Sequence, residues 1–159
     1  MLPLTSRRYR IAEKQFANDL SGEGARIYGG RWNPKGIPMI YTAESVALAA
    51  LEVLVRISTP KHYYRIIYEI PGTASTETVA VSVLPPDWLL PHPNAYLIEF
   101  GKRWSQERRS LLLQVPSSVV HGEGWNYLIN PLQPEIPTVA VVDIAPFNYD
   151  FRFFERKYA

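Results

Sequence analysis

Proline sets the first limit on what this chain can become. Fourteen prolines are spread along 159 residues, and each fixes φ and removes a backbone donor, so no long helix runs unbroken through one. Ten tyrosines add β-forming bulk. The combination argues against a helical bundle and for short strands joined by ordered loops. Strand composition occurs at Arg8–Ala12, Pro38–Thr42, Tyr63–Ile70, Val79–Val83, Leu111–Val115 and Thr138–Ile144. Asn18–Gly30 and His121–Gln133 read as loops from their Gly, Ser, Asn and Pro content. Phe147–Tyr158 is aromatic and charged by turns.

Two stretches keep a helical pattern. Ala43–Ile57 has Thr42 as a cap, Glu44 in its first turn and Pro60 as a stop. Asn94–Arg109 is amphipathic. With no repeat, low-complexity linker or second domain in view, the expectation is one α+β domain over residues 1–159.

Several chemistries are set aside at this level. The chain has no cysteine, which removes disulfides and thiolate catalysis and fits a reducing cytosol. His62, His92 and His121 are far apart and lack metal-ligand spacing, so no metal is expected. Gly22 and Gly24 start a dinucleotide-loop look-alike, but Ile27 takes the place of its third glycine. Gly24 and Gly29 have phosphate-loop spacing, yet Gly30 and Arg31 follow where Lys and Ser/Thr are needed. A formal charge of +2 is too small to argue for nucleic acid, and KRWSQERR (Lys102–Arg109) reads as a solvated helix face anchored by Trp104. The N-terminus lacks the roughly 7–15 apolar residues of a signal peptide, and no window reaches the ~18 of a membrane span, so a cytoplasmic location is expected.

What a generic core would not need is GGRWNPKG (Gly29–Gly36), followed by SVALAALEVLV (Ser45–Val55), whose one charge is Glu52. Glycines beside Arg31 let the backbone come close to a ligand, and a guanidinium forks onto phosphate or carboxylate. Glu52 on an apolar, largely buried helix is costly unless it is paired or faces a cleft. Ser45 lies seven positions earlier, on the same stripe of an ideal helix at ~100° per residue. Tyr41 ends a strand just before that helix. Each has an ordinary explanation alone: a solvent-edge Glu, a turn with Trp32 packed inward, a core tyrosine. Together they suggest one cleft, where Arg31 and Glu52 pair while it is empty.

The run from Ser21 to Val55, with VPSSVV at Val115–Val120, NYLINP at Asn126–Pro131 and FNYDFRFF at Phe147–Phe154, resembles the RES domain family over nearly the whole chain. Gln133 departs from it, standing where members often have His before Pro. The resemblance implies a fold similar to ADP-ribosyltransferases, with small antiparallel sheets around an NAD cleft and flanking helices. It implies an enzyme that depletes NAD by cleaving the nicotinamide–ribose bond, as an NAD phosphorylase or glycohydrolase. NAD is then a substrate, inorganic phosphate a possible co-substrate, and no metal is needed. Some members instead transfer ADP-ribose to a protein. The implied partner is an Xre-type helix-turn-helix antitoxin that blocks the active site and makes any DNA contact itself.

On that basis Glu52 stabilises the oxocarbenium-like ribose left by departing nicotinamide. Tyr41 offers a flat face, and Arg31 with Arg10 holds the pyrophosphate or an attacking phosphate. Ser117 and Asn126 supply orienting hydrogen bonds, with Ser118 the alternative to Ser117 as the family serine. Three readings remain open: an NAD-consuming toxin, an ADP-ribosyltransferase with a protein acceptor, and a non-catalytic binding domain of the same fold.

Overall fold

The computed structural model describes residues 4–59 and 61–155. Pro60 and Tyr158, which figure in the expectations above, lie outside them. Among the described residues, seven strands form one sheet: β1 (Thr5–Ala12), β2 (Ile40–Ala43), β3 (Tyr63–Pro71), β4 (Thr76–Thr78), β5 (Leu112–Pro116), β6 (Trp125–Ile129) and β7 (Ala140–Phe147). Their order is β4-β5-β6-β2-β1-β3-β7. Within the same described residues, three α-helices accompany it: α1 (Glu23–Tyr28), α2 (Val46–Leu54) and α3 (Ala95–Gln106). The architecture is α+β, as composition suggests.

The expectation of small antiparallel sheets needs correcting. A single sheet spans all seven strands, and it is mixed, because β4 runs parallel to β5. A parallel neighbour needs a long crossover, and the segment from Val79 to Leu111, carrying α3, supplies it. The strand expected at Val79–Val83 is displaced: β4 ends at Thr78, and Val81–Val83 forms a 3-10 turn. Pro85 and Pro86 follow directly and cannot extend a ladder.

Two expected loops hold regular elements. Within Asn18–Gly30 lies α1, whose entry is held by the Asp19 carboxylate accepting from the Ser21 and Glu23 amides. Glu23 and Arg26 then pair one turn apart, with Arg26 Nε donating at 2.7 Å. Within His121–Gln133 lies β6, a central strand between β5 and β2. Thr42 does not cap α2; it sits in β2 and its hydroxyl donates to the Tyr127 carbonyl at 2.6 Å. The cap is Ser45, in extended conformation, whose Oγ accepts from the Leu48 amide at 3.1 Å. Nor is α2 largely buried: Leu48 and Ala49 are its only buried residues.

Alternation along the strands divides the core by face. Ile66, Tyr68 and Ile70 of β3 are fully buried with Ile40, Leu111 and Ile129. Leu113 and Val115 point the other way on β5 and join Leu128, Trp32, Leu97 and Trp104 under α3. Trp104 is thus the anchor expected for its helix, its indole N–H donating to Ser110 at 2.8 Å. A third cluster packs Leu48 and Ala49 of α2 on Ile11 and Ala43.

Between β1 and β2 the sheet nearly parts. Tyr9 faces Ala43 in register, but pairing stops there. The same register would next bring Arg10 to Thr42 and Ile11 to Tyr41. Instead these four residues line an open cleft. The opening lies where the two halves of the sheet splay apart, with α2 alongside.

Candidate active site

The cleft has a large lobe of about 260 Å³ and a small one of about 20 Å³. Arg10, Tyr9, Phe16 and Tyr28 line the first; Arg31, Trp32, Pro116 and Ser118 line the second. Tyr41, Glu52, Arg56 and Asn126 line both, so they form the neck.

Glu52 is the hydrogen-bonded charge in this neck. Its Oε1 accepts from Ser117 Oγ at 2.6 Å and from Asn126 Nδ2 at 2.6 Å. Ser117 follows β5 and is completely buried. Asn126 is on β6, next to it in the sheet. The two strands therefore present both donors to a carboxylate carried by α2. Ser117 is the serine on Glu52, while Ser118 lines the small lobe. Asn126 Oδ1 is buried without a partner among the described residues.

Arg31 comes from the glycine-rich loop. Gly30 is required there by contact, since a Cβ would sit 2.6 Å from the Tyr41 hydroxyl. That hydroxyl accepts from the Trp32 amide at 3.0 Å and donates to Asn33 Oδ1 at 2.6 Å. Asn33 is buried and spends its amide on the carbonyls of Ala25, Pro34 and Ile37. Asn33 is thus the organiser of the loop. Burial raises the Tyr41 pKa well above the ordinary tyrosine range. With its hydroxyl neutral and doubly used, Tyr41 can offer the cleft only its ring.

The expected Arg31–Glu52 ion pair is not formed. Arg31 donates instead to the carbonyls of Trp88 at 2.8 Å and Leu90 at 3.2 Å. Two backbone oxygens fix the guanidinium without neutralising it. Burial lowers its pKa, and the negative charge of Glu52 opposes that shift. Arg10, on β1, makes only long contacts of 3.4 Å, to the Phe16 carbonyl and the Tyr68 hydroxyl. Ser45 lines neither lobe, because its hydroxyl caps α2. Its place on the Glu52 stripe assumed a helix that began earlier.

The structure therefore brings Arg31, Tyr41, Glu52, Asn126 and Ser117 together, adds Arg10 at one side, and leaves Ser45 out. Sequence reasoning missed Asn33 and Arg56. Among the described residues no cluster of three His, Cys, Asp or Glu could hold a metal ion. No described helix is long and apolar enough to cross a membrane.

Comparison with known proteins places these features in a family. The RES domain model matches residues 7–151. A protein named Prs ADP-ribosylating toxin, from Sphingobium sp. (strain YBL2), is 38% identical over 161 residues, covering 96% of this chain and 99% of that protein. A Toxin Res from Photorhabdus laumondii subsp. laumondii is 34% identical, covering 94% of this chain and 97% of its own. Among solved structures, the M. tuberculosis MbcT–MbcA toxin–antitoxin complex contains a chain of similar fold, with a TM-score of 0.72 at 22% identity, covering 90% of this chain and 84% of that one. The carboxylate on α2, the arginine loop and the serine after β5 are thus set in a fold and a sequence that the chain shares with these proteins over nearly its full length, and the chain belongs to the RES domain family.

Proposed function

We propose that this protein is the toxin of a toxin–antitoxin pair and that it consumes NAD by breaking the bond between nicotinamide and ribose. The observation that carries the reading is Glu52, held by two neutral donors at the neck of a cleft lined by arginines. Departure of nicotinamide leaves positive charge on the ribose C1′ and ring oxygen. An oriented carboxylate beside them stabilises that charge more in the transition state than in the ground state. Nicotinamide is already cationic and leaves without protonation, so neither a metal nor a covalent nucleophile is required. Tyr41 gives its ring to the nicotinamide end. Arg31 and Arg10 serve the phosphates, or an attacking phosphate ion. The acceptor is phosphate or water, and the chain acts as one domain in the cytoplasm.

A protein acceptor is the second reading, favoured by the name of the Sphingobium relative, an ADP-ribosylating toxin. The partner in our reading is an Xre-type antitoxin whose C-terminal segment covers Arg31 and Glu52. That part rests on the solved neighbour being a toxin–antitoxin complex, and on arginines that a carboxylate can satisfy.

The test is nicotinamide release by the purified, partner-free chain in the presence of chelator, with and without phosphate. NAD should fall without metal. Dependence on phosphate identifies phosphorolysis, and loss of NAD without it identifies hydrolysis. If NAD falls only when a protein is added and that protein gains mass, the second reading replaces the first. An NAD level that never falls under any acceptor leaves a binding domain.

A further inference from the structure

We propose that Arg56 grips the phosphate borne by the nicotinamide ribose, and so makes the cleft select phosphorylated substrates over the bare nucleoside. The proposal rests on the NAD reading and names the residue that sets substrate class within it.

Three arginines border the cleft, and they are not equivalent. Arg10 lines only the large lobe and Arg31 only the small one. Arg56 lines both, so it alone of the three stands where a group spanning the neck must pass. The guanidinium of Arg31 is fixed on two carbonyls, and that of Arg10 has a carbonyl and a hydroxyl. Arg56 is exposed, and its guanidinium makes no hydrogen bond or ion pair among the described residues. All of its donors are available to a ligand.

Its position relative to Glu52 gives the chemistry. Arg56 lies four residues after Glu52 and two past Leu54, the last residue of α2, and Glu52 and Arg56 both line both lobes of the cleft. Glu52 and Arg56 form no salt bridge with each other, and Ser117 and Asn126 hold the carboxylate. A carboxylate and a guanidinium are therefore offered next to each other with neither cancelling the other. In a nicotinamide nucleotide one ribose carries both groups: the reacting C1′ and the C4′ that bears the 5′-phosphate arm flank its ring oxygen. A ribose with C1′ at Glu52 brings its phosphate to Arg56. The charge of Arg56 also bears on Arg31, disfavouring the protonated form of that group. An anion between them relieves this repulsion, which gives the neck a preference for a phosphate over a neutral group.

The test compares three substrates: NAD, nicotinamide mononucleotide and nicotinamide riboside. Arg56→Met keeps the stem and removes the charge. It should raise KM for the first two by about 10- to 100-fold with little change in kcat, and leave kcat/KM for the riboside unchanged. Arg56→Lys should recover part of the loss, since a point charge remains without the fork. Equal losses on nucleotide and riboside would show a merely structural role and overturn the proposal, as would an unchanged KM for NAD. ADP-ribose binding by calorimetry, measured in a Glu52→Gln background, gives a readout independent of turnover. It should weaken in Arg56→Met by a similar factor, and unweakened binding overturns the proposal. If the wild-type chain cleaves no NAD yet ADP-ribose binding still depends on Arg56, the NAD reading falls while the phosphate grip stands.

Discussion

A glutamate can stabilise a cation only if its neighbours hold it in place without supplying a counter-charge of their own. Glu52 is held through two neutral donors on one oxygen, Arg31 is turned onto the Trp88 and Leu90 carbonyls, and Arg56 forms no ion pair with it. Glu52→Gln keeps an oxygen for Ser117 and Asn126 and removes only the charge. Turnover should then fall by roughly 10²–10³, with unfolding free energy changed by no more than about 1 kcal/mol, read by steady-state kinetics beside chemical denaturation. Wild-type turnover in this variant would end the proposed role. Arg31→Ala should also raise KM, because phosphate contacts in the ground state are lost with it. Glu52 and Arg31 could be singled out from sequence because each breaks its local pattern: a charge in an apolar run, an arginine among glycines. Asn33 and Arg56 conform to theirs, as an Asn before Pro in a turn and a cation at a helix end, and nothing in the sequence marks them. What distinguishes them is what they touch, or leave untouched, across the fold.

At the scale of elements, the contact between α3 and the Arg31 loop decides how firmly the site is built. Gly101 lies on α3, and a Cβ there would stand 1.7 Å from the Trp32 carbonyl oxygen, inside any permitted contact. Helix propensity favours Ala over Gly by about 1 kcal/mol, but the clash is with backbone and cannot be relieved by a rotamer. The clash should win. Gly101→Ala is expected to destabilise by about 2 kcal/mol or more and to lower activity, because the helix must move from the loop that carries Arg31. Gly24→Ala is the control: its methyl meets the Phe16 ring at 3.5 Å, ordinary contact, and should be tolerated in the same denaturation measurement. Elements with long, consistent patterns were legible: β3 falls within a residue of its expected span, and α3 starts at Ala95, capped by Asn94, whose side chain accepts from the Tyr96 and Leu97 amides. The elements hidden in Gly-rich surroundings were not. WNYLI of β6 is strand-forming, but Gly122, Gly124 and Pro131 around it outweigh five residues in any window. α1 has only six residues, and its support is Asp19 outside it and an ion pair within. Thr42 and Ser45 compete for one cap, and only the strand that claims Thr42 decides between them.

Across the whole molecule, β7-β3-β1 and β2-β6-β5-β4 are two half-sheets joined in register at Tyr9 and Ala43. Amides of β1 and β2 that point into the gap have few backbone partners, and should exchange with solvent faster than those directed at β3 or β6. Hydrogen exchange resolved by strand would show this, and uniform protection across the sheet would contradict it. In the function proposed above, NAD or an inhibitory partner bridges both half-sheets, and should then slow the fast set. A molecule bridging such a seam does the work of missing ladder bonds. Its binding energy adds to the folding free energy by mass action, about 2.7 kcal/mol at a hundredfold excess over Kd. The melting temperature of this protein is then a gauge of who occupies it. A heated sample can rank nucleotides, phosphate and candidate partners by how tightly each laces the halves together, before any bond in NAD is broken.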